Sequence, residues 1–100
     1  MTEEEVIEVN AQIILEHLDK IEYRSKVLSN EYVSHDAAAM LTWASDSKIV
    51  DVTSKLYEDG GLVLTVVDEK GETYIVSIGA FGSVAAIEDI DGNYLYNSPY

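Results

Sequence analysis

The chain has no cysteine, so neither disulfides nor thiolate metal sites can stabilise it. Packing alone must hold it together, as suits a reducing compartment, and a cytoplasmic location is expected. No apolar run approaches the ~18 residues that a membrane span requires. The opening Met1-Thr2-Glu3-Glu4-Glu5 is acidic where a secretory leader is basic, so no membrane partner is expected. Positive charge is scarce: six basic residues, of which only Arg24 is an arginine, stand against 19 acidic ones, for a formal net charge of −13. Such a chain repels phosphate backbones, which argues against direct nucleic-acid binding. It favours basic partners, including the basic surfaces of proteins that themselves bind nucleic acid. Solubility is the plainer reason for the same acidity.

What remains is an ordinary globular composition, 47% hydrophobic and 25% charged over 100 residues, enough for one domain with a modest core. The stretch from Gly61 to Gly79 organises it. Leu62–Val67 and Thr73–Ile78 read as two strands rich in Val, Ile, Thr and Tyr, joined at Asp68-Glu69-Lys70-Gly71 by a type I turn ending in a positive-φ glycine. Leu62–Val67 is apolar on both faces, which marks a central strand.

Ahead of this hairpin, one long helix is expected to about residue 28. Thr2 and Glu5 have capping-box spacing, and Glu16/Lys20 and Glu22/Lys26 are favourable i,i+4 pairs. Ile7, Ile14, Ile21 and Leu28 recur every seven residues, and Val6, Ile13, Val27 and Leu15 widen the stripe to about half the helix circumference. The following segment, a second copy of the helix or another protein could cover that width. Ser34 is the expected cap of a short second helix. A strand is the alternative there, and Ala37-Ala38-Ala39 favours helix. From Lys48 the period becomes two, and short turns separate further strands, the last spanning Tyr94 to Tyr96. The expected fold is therefore α+β, a single domain (1–100). A long N-terminal helix (1–28) and a short second helix (34–45) pack on one face of a four- or five-stranded antiparallel β-meander (48–96), followed by a tail (97–100).

No constellation for chemistry emerges. Glu88, Asp89, Asp91 and Asn93 crowd acidic oxygens together, but the glycine and closing glutamate of a calcium loop are misplaced, and a β-turn explains every residue. His17 lies on the flank of the helix stripe and His35 at a helix start, and no cysteine accompanies them. No G-x-S-x-G motif or phosphate-cradling glycine loop is present. No catalytic residue, metal ligand or cofactor is expected. Trp43 and Phe81 read as core. Tyr94, Tyr96 and Tyr100 cluster at the C-terminus, Tyr94 and Tyr96 on one face of the last strand.

The expected function is that of a non-enzymatic, acidic protein-binding regulator: an inhibitor, antitoxin or immunity-type protein occupying a basic surface of a protein target. Glu3, Glu4, Glu5, Glu8, Asp19 and Glu22 on the first helix, or Asp89 and Asp91 on the last turn, would make the contacts. The alternative is a self-assembling structural or accessory domain, a homodimer through the first helix (Ile7, Ile14, Leu15) or the C-terminal edge (Tyr94, Tyr96).

Overall fold

The computed structural model describes residues 2–98. Its elements run α1 (Glu3–Lys20), α2 (Asn30–Ala44), β1 (Ile49–Leu56), β2 (Leu62–Asp68), β3 (Thr73–Ile78), β4 (Val84–Asp89) and β5 (Tyr94–Asn97). The expected class holds: two helices pack against a five-stranded antiparallel meander with spatial order β1-β2-β3-β4-β5. Tyr100 and the end of the expected tail lie outside the described residues.

Thr2 caps α1 as its spacing predicts. Its Oγ1 accepts from the Glu5 N–H at 3.2 Å and donates to Glu5 Oε1 at 3.1 Å, while Glu3, Glu4 and Glu5 sit in the first turn, where the helix dipole favours them. The far end departs from expectation. α1 stops at Lys20, because the Glu22 N–H donates to Asp19 O (3.2 Å) and the Tyr23 N–H to Leu18 O (2.9 Å), the paired bonds of a Schellman stop. Glu22 takes the left-handed conformation this requires (φ 58°), a position glycine usually fills. Burial of the Tyr23 ring alongside Leu18 compensates for the strain. Glu22 and Lys26 therefore lie outside the helix.

α2 also starts earlier than expected. Ser29, not Ser34, is its cap, accepting from the Tyr32 N–H at 3.2 Å. Ser34 faces inward and donates to Asn30 O at 2.6 Å. Small buried residues, Ser34, Ala37 and Ala38, let α2 lie closely along α1. The segment that follows α1 thus covers part of the wide apolar stripe; Ile7, Ile13 and Leu15 stay half-buried and Val27 is 70% exposed.

Beneath the helices, Leu62, Leu64 and Val66 of β2, Tyr74, Val76 and Ile78 of β3, and Val84 and Ile87 of β4 form the sheet's buried face. α1 lies nearer β1, and α2 nearer β4. The buried amide of Asn10 clasps the layers together: Nδ2 donates to Ser47 O (3.2 Å) and Oδ1 accepts from the Ile49 N–H (2.9 Å). No described element covers the opposite sheet face, where Val63, Thr65, Val67, Thr73, Ile75 and Ser77 are half-buried.

All four hairpins use one turn. In each, the fourth residue's N–H donates to the first residue's carbonyl, and the first residue's N–H donates to the fifth's: 57–61, 68–72, 79–83 and 89–93. Its fourth position demands positive φ, met by Gly60 (92°), Gly71 (82°), Gly82 (98°) and Gly92 (86°). These glycines recur every ten or eleven residues, a structural repeat that the differing side chains between them conceal.

Candidate protein-interaction surface

A meander sends alternate turns to opposite ends of its sheet. The 57–61 and 79–83 turns share one end with the α1–α2 connection, which covers the second: the Lys26 N–H donates to Ala80 O at 2.9 Å. The 68–72 and 89–93 turns share the other end with the start of α1 and the close of α2; the α2–β1 connection flanks the first, where the Glu69 N–H donates to Lys48 O at 2.9 Å, and among the described residues no segment folds over the tip of either. Each of this second pair begins with an aspartate that holds its own turn. Asp68 Oδ1 accepts from the Lys70 and Glu72 N–H groups (2.9 and 3.0 Å), and its Oδ2 from Ser45 Oγ at 2.7 Å. Asp89 Oδ1 accepts from the Asp91 and Asn93 N–H groups, both at 2.9 Å, and its Oδ2 from Asn93 Nδ2 at 3.1 Å. The Asn93 hydrogen bonds hold the Asp89 carboxyl below the usual aspartate range.

Next to these turns stands the chain's single tryptophan. Trp43 was expected in the core, yet it is 73% exposed. It projects from the last turn of α2, on the helix face opposite Ala38 and Leu41. Ile90 and Leu95 are also exposed. Trp43, Met40, Ile87, Leu95 and Tyr96 line an apolar slot of about 130 Å³ between α2 and β5. The slot shares Leu95 with a cleft bearing Glu72, Asp89, Asp91 and Ile90. That cleft shares Glu72 with another, bearing Glu3, Asp46, Lys70 and Trp43. In the other direction the slot shares Met40 and Tyr96 with a cleft lined by Asp36 and Phe81. Together they make one groove, apolar at its centre, rich in carboxylates at one end and carrying Asp36 at the other, where the Lys26 ammonium lies 6.0 Å from the Phe81 ring. Phe81, also expected in the core, is 62% exposed at the far end.

Local chemistry in the groove is largely satisfied. Tyr74 Oη donates to Glu72 Oε2 at 2.6 Å, and burial, reinforced by that bond, raises the phenol to about 12. Lys70 lies 3.7 Å from Asp46 on the surface, a pair of small energetic worth. Elsewhere, His17 Nε2 and Ser54 Oγ share a hydrogen bond of 2.9 Å at the β1 edge; burial, then Lys20, lowers the imidazole. Among the described residues, no further group hydrogen-bonds that ring. His35 is exposed, more than a turn inside α2 rather than at its start. Among the described residues, no group of three His, Cys, Asp or Glu could hold a metal ion, and no helix is long and apolar enough to cross a membrane.

The expected contact residues divide. Glu3 and Asp91 line separate clefts at the uncovered end, with Glu4, Glu5 and Glu8 exposed on the neighbouring turns of α1. Asp89 is there too, committed to its turn. Asp19 and Glu22 sit at the opposite end of α1, where Asp19 accepts from Asn30 Nδ2 at 3.0 Å and lies 3.9 Å from Arg24. Of the expected dimer residues, Ile14 is 0% exposed and offers no surface, while Ile7 and Leu15 are half-buried. Tyr94 and Tyr96 do not share a face. A bulge pairs Tyr94 with Glu88 and Tyr96 with Ile87, and because Glu88 and Ile87 are adjacent, the two rings point to opposite sides. Only Tyr96 enters the groove. Sequence reasoning missed Trp43, Leu95 and Ile90, which only the tertiary fold brings together. Compared with known proteins, the chain matches no family model, no curated protein and no solved structure.

Proposed function

We propose that this chain is a non-enzymatic regulator that acts in the cytoplasm by covering a basic surface of a protein target with its uncovered end. The observation that carries this reading is Trp43, exposed with Ile90 and Leu95 among Glu3, Asp46, Glu72, Asp89 and Asp91. A large aromatic at the centre of a charged rim is the usual composition of a binding hot spot. The rim steers a basic partner and sets its orientation, while the desolvated centre supplies most of the affinity. Inhibitors, antitoxins and immunity proteins work by such occupancy and need no chemistry of their own.

The test is capture of the target by tagged chain from host lysate, with low-salt and then high-salt washes and the Trp43→Ala chain in parallel. A basic protein that high salt releases and Trp43→Ala fails to capture is the expected result. A target that binds equally well at high salt, or equally well without the indole, would defeat the reading.

A self-assembling accessory domain is the second reading. It is favoured by the uncharged middle of the open sheet face, Val63 to Ser77 on β2 and β3, in a chain whose net charge of −13 otherwise repels its own copy. Sedimentation showing only monomer at high concentration would remove it.

A further inference from the structure

The groove between α2 and β5 has the shape and charge of a site for one extended chain. We infer that it takes a basic segment of the partner protein as a sixth strand beside β5, with an apolar side chain in the Trp43–Leu95 slot and cationic side chains two residues to either side. This rests on the regulator reading and makes it specific.

Three observations converge. Among the described residues β5 is an edge strand, paired only with β4. The Ser98 N–H donates to Ala85 O at 2.8 Å and Tyr96 pairs with Ile87, so the alternation of an antiparallel ladder turns the N–H and C=O of the intervening Asn97 outward. Among the described residues no backbone group meets them. The bulge earlier in β5 disrupts the rest of this short edge, so one register is favoured over others. Second, the slot, about 130 Å³ and lined by Met40, Trp43, Ile87, Leu95 and Tyr96, has room for one branched aliphatic side chain against a mainly apolar lining.

Third, acid lies to either side of the slot. In a strand, side chains two residues apart stand on the same face about 6.8 Å from each other. Asp36 lies four residues before Met40 on α2, about 6 Å along the helix axis. On the slot's other side come Asp89 and Asp91. A segment reading cation, any residue, apolar, any residue, cation would therefore satisfy both ends and the centre at once. Strand addition of this kind draws affinity from the main chain and specificity from alternate side chains.

The probe is a nine-residue peptide with central leucine and arginine two positions to each side. Two controls accompany it: a scramble of the same composition, and a copy N-methylated at the residue facing Asn97. Trp43, the only tryptophan, reports occupancy by a blue shift of its emission, and hydrogen exchange reports the Asn97 amide. The alternating peptide is expected to bind about tenfold more tightly than either control and to slow Asn97 exchange by a similar factor. Trp43→Ala, followed by exchange alone, is expected to weaken it about thirtyfold. Equal binding of all three peptides with Asn97 unprotected would overturn strand addition while leaving acidic recognition standing. Failure of every basic peptide to bind, even at low salt, would remove the regulator reading as well.

Discussion

The two ends of the sheet use the same five-residue turn and treat it oppositely. At the covered end, Gly82 is pressed beneath the α1–α2 connection: a Cβ there would lie 3.0 Å from Leu28 Cβ, Ser25 Oγ and Val33 Cγ2 alike. At the uncovered end, Gly71 and Gly92 have nothing within 4 Å of the same position. The first residues differ to match. Gly79 opens a covered turn and supplies no side chain, so the turn is steadied from outside through Ala80 and Lys26. Asp68 and Asp89 open the uncovered turns and hold them from within by accepting N–H groups of their own loops. A turn that caps itself can be left bare, and a bare turn can carry a binding surface. The placement of Trp43, Ile90 and Asp91 follows from that economy.

The sharpest way to break this comparison is to add a methyl group to each glycine. Gly82→Ala is expected to cost about 3 kcal/mol, from left-handed strain together with overpacking. Gly71→Ala, strained but unobstructed, is expected to cost about 1 kcal/mol. Urea unfolding of the two variants measures the difference, and equal losses would mean that the cover adds nothing. Next comes Asp68→Ala, which strands the half-buried Ser45 hydroxyl and two partly buried backbone donors and is expected to cost about 2 kcal/mol. Asp89→Ala, at the exposed tip, should cost less by the same assay.

Titration probes the uncovered end more gently. The Tyr74 phenol is raised to about 12 from the ordinary tyrosine value of 10.0, so its contribution is complete below pH 10 and is lost as pH rises towards 12, while the unfolded chain ionises first. Chemical denaturation across that window should show falling stability, and Tyr74→Phe should flatten the fall. Asp89 titrates in the opposite sense. Its carboxyl is depressed, so the contribution is complete above the ordinary aspartate pKa and vanishes as pH falls through the folded value. Smallest of all should be the effect of Trp43→Ala on folding. An exposed indole predicts a change within about 0.5 kcal/mol, and a loss of 2 kcal/mol or more would make Trp43 a packing residue after all.

The β2–β3 hairpin was legible because strand composition and turn chemistry agree residue by residue: Leu62–Val67, then Asp68-Glu69-Lys70-Gly71. The end of α1 was not, because a glutamate fills the left-handed position where a glycine would have announced the stop, and only tertiary burial of Tyr23 explains it. The start of α2 was displaced because Ser29 and Ser34 are equally good caps in isolation; the inward turn of Ser34 depends on α1. Trp43 and Phe81 were misjudged for a more general reason. Hydrophobicity states what a side chain gains on burial, not whether a partner is at hand to bury it. The opposed faces of Tyr94 and Tyr96 rest on a single bulged residue, which no periodicity reveals.

The Asn10 clasp has a kinetic consequence. Each hairpin closes over a handful of residues, so the meander can zip along its length with little loop-closure entropy. Asn10, by contrast, reaches partners 37 and 39 residues away, and it joins the helical layer to the first strand. The clasp should therefore close after the rate-limiting step. Asn10→Ala is then expected to hasten unfolding several-fold in stopped-flow measurements while scarcely altering the refolding rate. Slower refolding would instead put the meeting of helix and sheet at the top of the barrier, with the strands assembling on a template already in place.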